Sequence, residues 1–144
     1  MIYIYTVIVK NRKKKMKENS QIKFDGIWKK ENKIINVHVS ILIFEENGNT
    51  IVYCPALDIS GYGKNEEEAI DSFKVSTSEY LNYTSNKNTL EEDLLLHGWK
   101  IPKHKQHQIQ PPLMTDLLTS NNEFARIFNN FQYKKIDKEL LIPA

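Results

Sequence analysis

Cysteine is nearly absent: Cys54 stands alone among 144 residues. One thiol excludes an intrachain disulfide and any multi-cysteine zinc site, and it points to a reducing compartment, the cytoplasm. Glycine and proline are sparse at five each, which excludes collagen-like and low-complexity classes. Long apolar runs are missing too. Met1–Val9 is apolar but far below the roughly 20 residues of a membrane span. It precedes a basic cluster, the reverse of a signal peptide's order, so no membrane partner is expected. Neither GxGxxG nor GxxxxGK[ST] occurs, and Gly61-Tyr62-Gly63 before a helix is too short to cradle phosphate. No nucleotide cofactor is expected.

What is present suffices for one domain. The chain is 40% hydrophobic and 26% charged, within the range of a folded protein. The net charge of +2 hides an asymmetry. Lys10, Arg12, Lys13, Lys14, Lys15 and Lys17 face no acid in residues 1–17. The remaining 14 bases and 18 acids leave −4 in the body. The basic character therefore sits in an arm, residues 1–15, read as a solvated tail. Met16 is the alternative start. The domain proper is expected at 16–101, and a linker with a C-terminal extension at 102–144.

From Met16 the pattern is regular. Ile22–Trp28 reads as a short strand and Glu31-Asn32-Lys33 as a turn. Ile34–Phe44 has period two, with Ile35, Val37, Val39, Ile41 and Ile43 on one face and a mixed set, Asn36, His38, Ser40, Leu42 and Phe44, on the other, so it is a strand with one side buried. Asn47-Gly48 marks a hairpin. Ile51–Cys54 returns and Pro55 stops it. Leu57–Gly63 forms a third extended piece. Asn65 then caps a helix whose first turn holds Glu66, Glu67 and Glu68. Ala69, Phe73, Thr77 and Leu81 form its inward stripe. Thr89 and Glu92 fit a capping box for a helix at Leu90–His97. Trp99–Ile101 is expected to rejoin the sheet. Residues 102–112 are a proline-bounded linker. Leu113–Leu118 and Asn122–Asn130 are short helices, and Phe131–Ile142 is strand-like. The fold class is α/β in the α+β sense. It comprises a small antiparallel sheet of three to four strands, one main helix, and a helical and strand extension.

Chemistry-bearing residues have bland explanations. Glu66–Glu68 sit where a helix dipole favours carboxylates. A ribonuclease-H-type site needs acids on the central strand, and Ile34–Phe44 has none. His104 and His107, with His97 nearby, lack the Cys or acid partners of a metal site. Cys54 is a core residue rather than a nucleophile, and Trp28 and Trp99 are core or rim anchors. No catalytic residue, metal or cofactor is assigned, and the chain is not expected to be an enzyme. One feature stands out. Residues 45–93 hold eleven acids against Lys64, Lys74 and Lys87, about −8 in charge. Such a surface repels phosphates and attracts a basic partner. Glu67, Asp71, Glu79 and Asp58 are the candidate contacts.

Val39–Ile101 resembles the HicB family of type II antitoxins. The resemblance rests on an ordered series. Ile43-Phe44-Glu45-Glu46-Asn47-Gly48 is followed by Ile51-Val52-Tyr53-Cys54-Pro55-Ala56-Leu57-Asp58. Ile59–Lys64, Glu66-Glu67-Glu68-Ala69-Ile70 and Leu90–Asp93 leading to Gly98-Trp99-Lys100 come next. The resemblance implies a truncated ribonuclease-H-like sheet and a non-catalytic role. That role is binding and occluding a small basic mRNA-cleaving toxin, HicA-like. It also implies self-association into a homo-oligomer. Family members often carry a DNA-binding module at the C-terminus; here the two short helices offer one base, Arg126, to a phosphate backbone. Gly63-Lys64-Asn65 stands where the family usually has Gly-Asp-Thr. An orphan self-associating domain and a hydrolase of nucleic acid or a small metabolite are the alternatives.

Overall fold

A computed structural model describes residues 34–102 and 109–143. The basic arm, Ile22–Trp28, Glu31–Lys33, His104 and His107 lie outside the described residues. In chain order the elements are β1 (Ile34–Glu46), β2 (Asn49–Cys54), β3 (Ile59–Gly63), α1 (Glu66–Lys87), α2 (Leu90–Leu96), α3 (Met114–Ser120), α4 (Asn122–Asn130) and β4 (Tyr133–Pro143). The strands make one antiparallel sheet in the order β3-β2-β1-β4. The expected α+β class, with one main helix and a C-terminal strand, is what the chain adopts.

The β1–β2 hairpin follows from its turn. Asn47 and Gly48 take φ of 54° and 81°, two left-handed residues in succession. That is the primed turn whose twist matches paired strands, and it sets Glu46 opposite Asn49. The alternation of β1 sends Val37, Val39, Ile41 and Ile43 into a core shared with Val52, Cys54 and Leu57. α1 covers this face with Ala69, Phe73, Thr77 and Leu81, all buried, as their spacing predicts. Gly61 and Gly63 of β3 let it come close. A Cβ on Gly61 would lie 2.2 Å from the Phe73 nitrogen, and one on Gly63 2.5 Å from the Ala69 nitrogen.

The C-terminal extension is built into the same sheet. β4 runs antiparallel to β1 from Ile34↔Pro143 to Phe44↔Tyr133. Its Leu140 and Ile142 join the core under α1. The opposite face of the sheet has a second, smaller core. Leu42, Phe44 and Tyr53 meet Leu117 of α3 with Phe124 and Ile127 of α4. This explains the mixed even positions of β1: Leu42 and Phe44 are covered, whereas Asn36 and His38 are exposed.

Two local expectations are corrected. Trp99–Ile101 does not rejoin the sheet, because β4 holds the place beside β1. Lys100 instead bridges to Gln110, and the Trp99 indole N–H donates to the Ala56 carbonyl at 2.7 Å. Thr89 makes no capping hydrogen bond. Its N–H closes α1 by donating to the Thr84 carbonyl, after Asn88 turns left-handed at φ 59°. The reciprocal cap occurs on α1: Asn65 Oδ1 accepts from the Glu68 N–H, and Glu68 Oε1 accepts from the Lys64 N–H.

Candidate partner-binding surface

The inward stripe of α1 leaves an outward one. Glu67, Asp71 and Glu79 are all exposed on the helix. Steps of four residues stack side chains along a helix. The same steps therefore add Val75 and Tyr83, 51% and 64% exposed, to one slowly winding line. The line thus runs acid, acid, Val75, acid, Tyr83, with the Lys87 ammonium 5.8 Å from the centre of the Tyr83 ring. Sequence reasoning missed Val75 and Tyr83. The signal was available, since neither belongs to the inward series Ala69–Phe73–Thr77–Leu81.

The charge of about −8 is partly compensated by elements further along the chain. Lys134 of β4 binds Glu66 at 3.0 Å. Arg126 of α4 reaches Glu46 at 3.1 Å and Glu123 at 2.7 Å, which raises its own pKa and lowers that of Glu123. Glu68 is engaged in the helix cap. Asp93 accepts from the Tyr80 hydroxyl and lies 3.5 Å from His97 Nδ1. Asp71 acts on Lys74: desolvation pulls that ammonium below its ordinary value, and the Asp71 carboxylate opposes the shift. Glu67, Glu79, Glu91 and Glu92 form no salt bridge with any described residue.

Asp58 belongs to a different neighbourhood from the α1 acids. It ends the β2–β3 turn at φ 56° and accepts from the Tyr53 hydroxyl at 2.6 Å. That hydroxyl in turn accepts from Asn121 Nδ2 at 2.9 Å. Asn121 also donates to the Pro55 carbonyl and caps α4 by accepting from the Phe124 N–H. Burial first, then Asp58, holds the Tyr53 phenol well above its ordinary range.

The residues weighed for catalysis are not brought together. Cys54 is fully buried, which pushes its thiol up to about 12. His38 is exposed on the other face of β1. Ser40, two residues on, donates to Asp137 at 3.1 Å. Among the described residues, no three of His, Cys, Asp and Glu are grouped to hold a metal ion. No described helix is long and apolar enough to cross a membrane. Arg126, the base of the two short C-terminal helices, is occupied by two carboxylates. The apolar sides of those helices face the sheet. No protein-family profile, curated protein or solved structure matches the chain.

Proposed function

We propose that the chain is a non-catalytic antitoxin of HicB-like kind, which binds a small basic RNA-cleaving toxin and occludes its active site. The observation that carries this reading is the outward line of α1. Glu67, Asp71 and Glu79 present exposed charge along one side of the helix, with Val75 between Asp71 and Glu79 and Tyr83 one turn beyond. Acids steer a basic partner and set its register, while exposed aromatic and aliphatic groups supply contact area once water is excluded. The ordered resemblance over Val39–Ile101 supplies the class of partner.

The test is co-expression with the adjacent reading frame and pull-down of its product. Changing Glu67, Asp71 and Glu79 together to Lys should abolish capture while lowering the melting temperature only by the modest loss of the Glu67 charge at the helix start and the Asp71 charge beside Lys74. Removing residues 1–15 should leave capture intact. The opposite pair of outcomes would assign the partner to the arm. A second reading, a self-associating domain without a toxin, is favoured by one feature. The outer edge of β4 has no strand partner among the described residues. The pull-down separates the two, because only the first requires capture of a toxin; both readings expect the purified chain to self-associate.

A further inference from the structure

A cleft of about 390 Å³ opens between the β2–β3 turn, the end of α2 and the α3–α4 junction. Pro55, Leu96 and Leu117 give it apolar walls, and Asp58, His97 and Glu123 give it polar ones. Resting on the reading that the partner is basic, we propose that this cleft receives one arginine side chain of the partner. The guanidinium sits on Asp58, and the aliphatic stem lies between Pro55, Leu96 and Leu117.

Three observations lead to that occupant. The first is charge. Glu123 is already matched by Arg126 at 2.7 Å, and His97 turns its Nδ1 to the Asp93 carbonyl at 2.8 Å. Asp58 forms no ion pair with any described residue. The cleft therefore asks for one positive charge. The second is preorganisation. The Tyr53 hydroxyl, itself fixed by Asn121, occupies one Asp58 oxygen at 2.6 Å. A carboxylate accepts up to about four hydrogen bonds, so capacity for a guanidinium remains. The third is the wall. Leu96 is 83% exposed at the mouth, and an amphipathic side chain covers such a surface with its stem while its head meets the charge. Arginine fits better than lysine, because its planar, weakly hydrated head loses less on entering a half-apolar cleft.

The experiment is an NMR titration of the full-length chain, labelled with nitrogen-15, with N-acetyl-argininamide. Saturable shifts are expected at the amides of Asp58, Leu96, Gly98 and Asn121. Asp58→Asn keeps an acceptor for Tyr53 and tolerates the left-handed backbone. It should weaken binding at least about tenfold, the scale of a lost charge-assisted hydrogen bond, with one cooperative melting transition kept and only a small drop in its midpoint from the weakened Tyr53 contact. Leu96→Ser, at an exposed position, should weaken it as well. The inference is overturned if no shifts appear, if they survive Asp58→Asn, or if N-acetyl-norleucinamide produces the same shifts. Equal binding of N-acetyl-lysinamide would overturn the choice of arginine. Failure to find a toxin sinks the proposed function and leaves this titration standing. A toxin captured equally by wild type and Asp58→Asn sinks this inference alone.

Discussion

Gly61 shows how much one missing Cβ decides. The sequence displays Gly61-Tyr62-Gly63 as a glycine-bearing segment, but only the packed helix says why. A Cβ at Gly61 would fall 2.6 Å from the Phe73 Cα and 2.7 Å from the Ala69 carbonyl oxygen. Backbone on both sides cannot yield as a flexible side chain would. Gly61→Ala should therefore cost about 1–3 kcal/mol or more in denaturant unfolding. At Gly48 no atom lies within 4 Å of an added Cβ, and only its φ of 81° opposes a side chain. Gly48→Ala should cost about 1–2 kcal/mol, the strain of one left-handed residue. Titration belongs to the same scale. Tyr53 and Tyr80 are held above the ordinary phenol value of 10.0, first by burial and then by Asp58 and Asp93 respectively. A raised folded pKa gives stability that is complete below the unfolded value and is lost as pH rises past it. Absorbance titration should show both phenols ionising only with alkaline unfolding, and Tyr80→Phe should remove part of that alkaline lability. Ionisation of all the tyrosines below the unfolding transition would contradict the burial argument.

α1 was the most legible element, because its signals agree. Asn65, the three glutamates of its first turn and the inward spacing all specify one helix in one rotation. The cap has a measurable value: Asn65→Ala should destabilise by about 1 kcal/mol. What the spacing could not show is that Thr77, on the inward stripe, buries an Oγ1 with no hydrogen-bond partner among the described residues. An unsatisfied buried hydroxyl costs about 1–3 kcal/mol, so Thr77→Val, equal in shape, should raise stability by around 1 kcal/mol. Thr84 is the control. Its Oγ1 donates to the Tyr80 carbonyl at 2.8 Å, so Thr84→Val should give no such gain. The capping box read at Thr89 failed for a physical reason. Its ψ of 3° departs from the extended backbone of an N-cap and its N–H closes α1, and sequence spacing does not reveal which helix a junction residue serves.

At the scale of the molecule, strand alternation is local while strand neighbours are not. The period-two pattern of Ile34–Phe44 revealed one buried face. The second core at Leu42 and Phe44 needed α3 and α4, whose places the sequence leaves open. The candidate surface divides the same way: the exposure of Glu67, Asp71 and Glu79 follows from helix rotation, whereas the environment of Asp58 depends on Asn121, far along the chain. The sheet's two edges are also treated differently. On β3, the Tyr62 N–H donates to Ser72 Oγ and the Lys64 N–H to Glu68, so α1 blunts that edge. On β4 the outer edge has no strand partner among the described residues, and its Lys134 and Lys135 are matched by Glu66 and Asp137, which leaves that edge more open to a second strand. β4 is also structural. Val37↔Leu140 and Ile35↔Ile142 place two of its side chains, 3% and 1% exposed, in the main core. A chain ending at residue 101, where composition alone suggests a boundary, would lose those contacts and the whole second core. It should show no cooperative melting and should bind a dye for exposed apolar surface. Leu140→Ala in the full chain should cost about 2–5 kcal/mol while keeping one transition, because both faces belong to one sheet. A truncated chain that melts cooperatively near the full-length temperature would mean that β4 is an accessory strand, and that α1 with β1–β3 suffices as the folding unit.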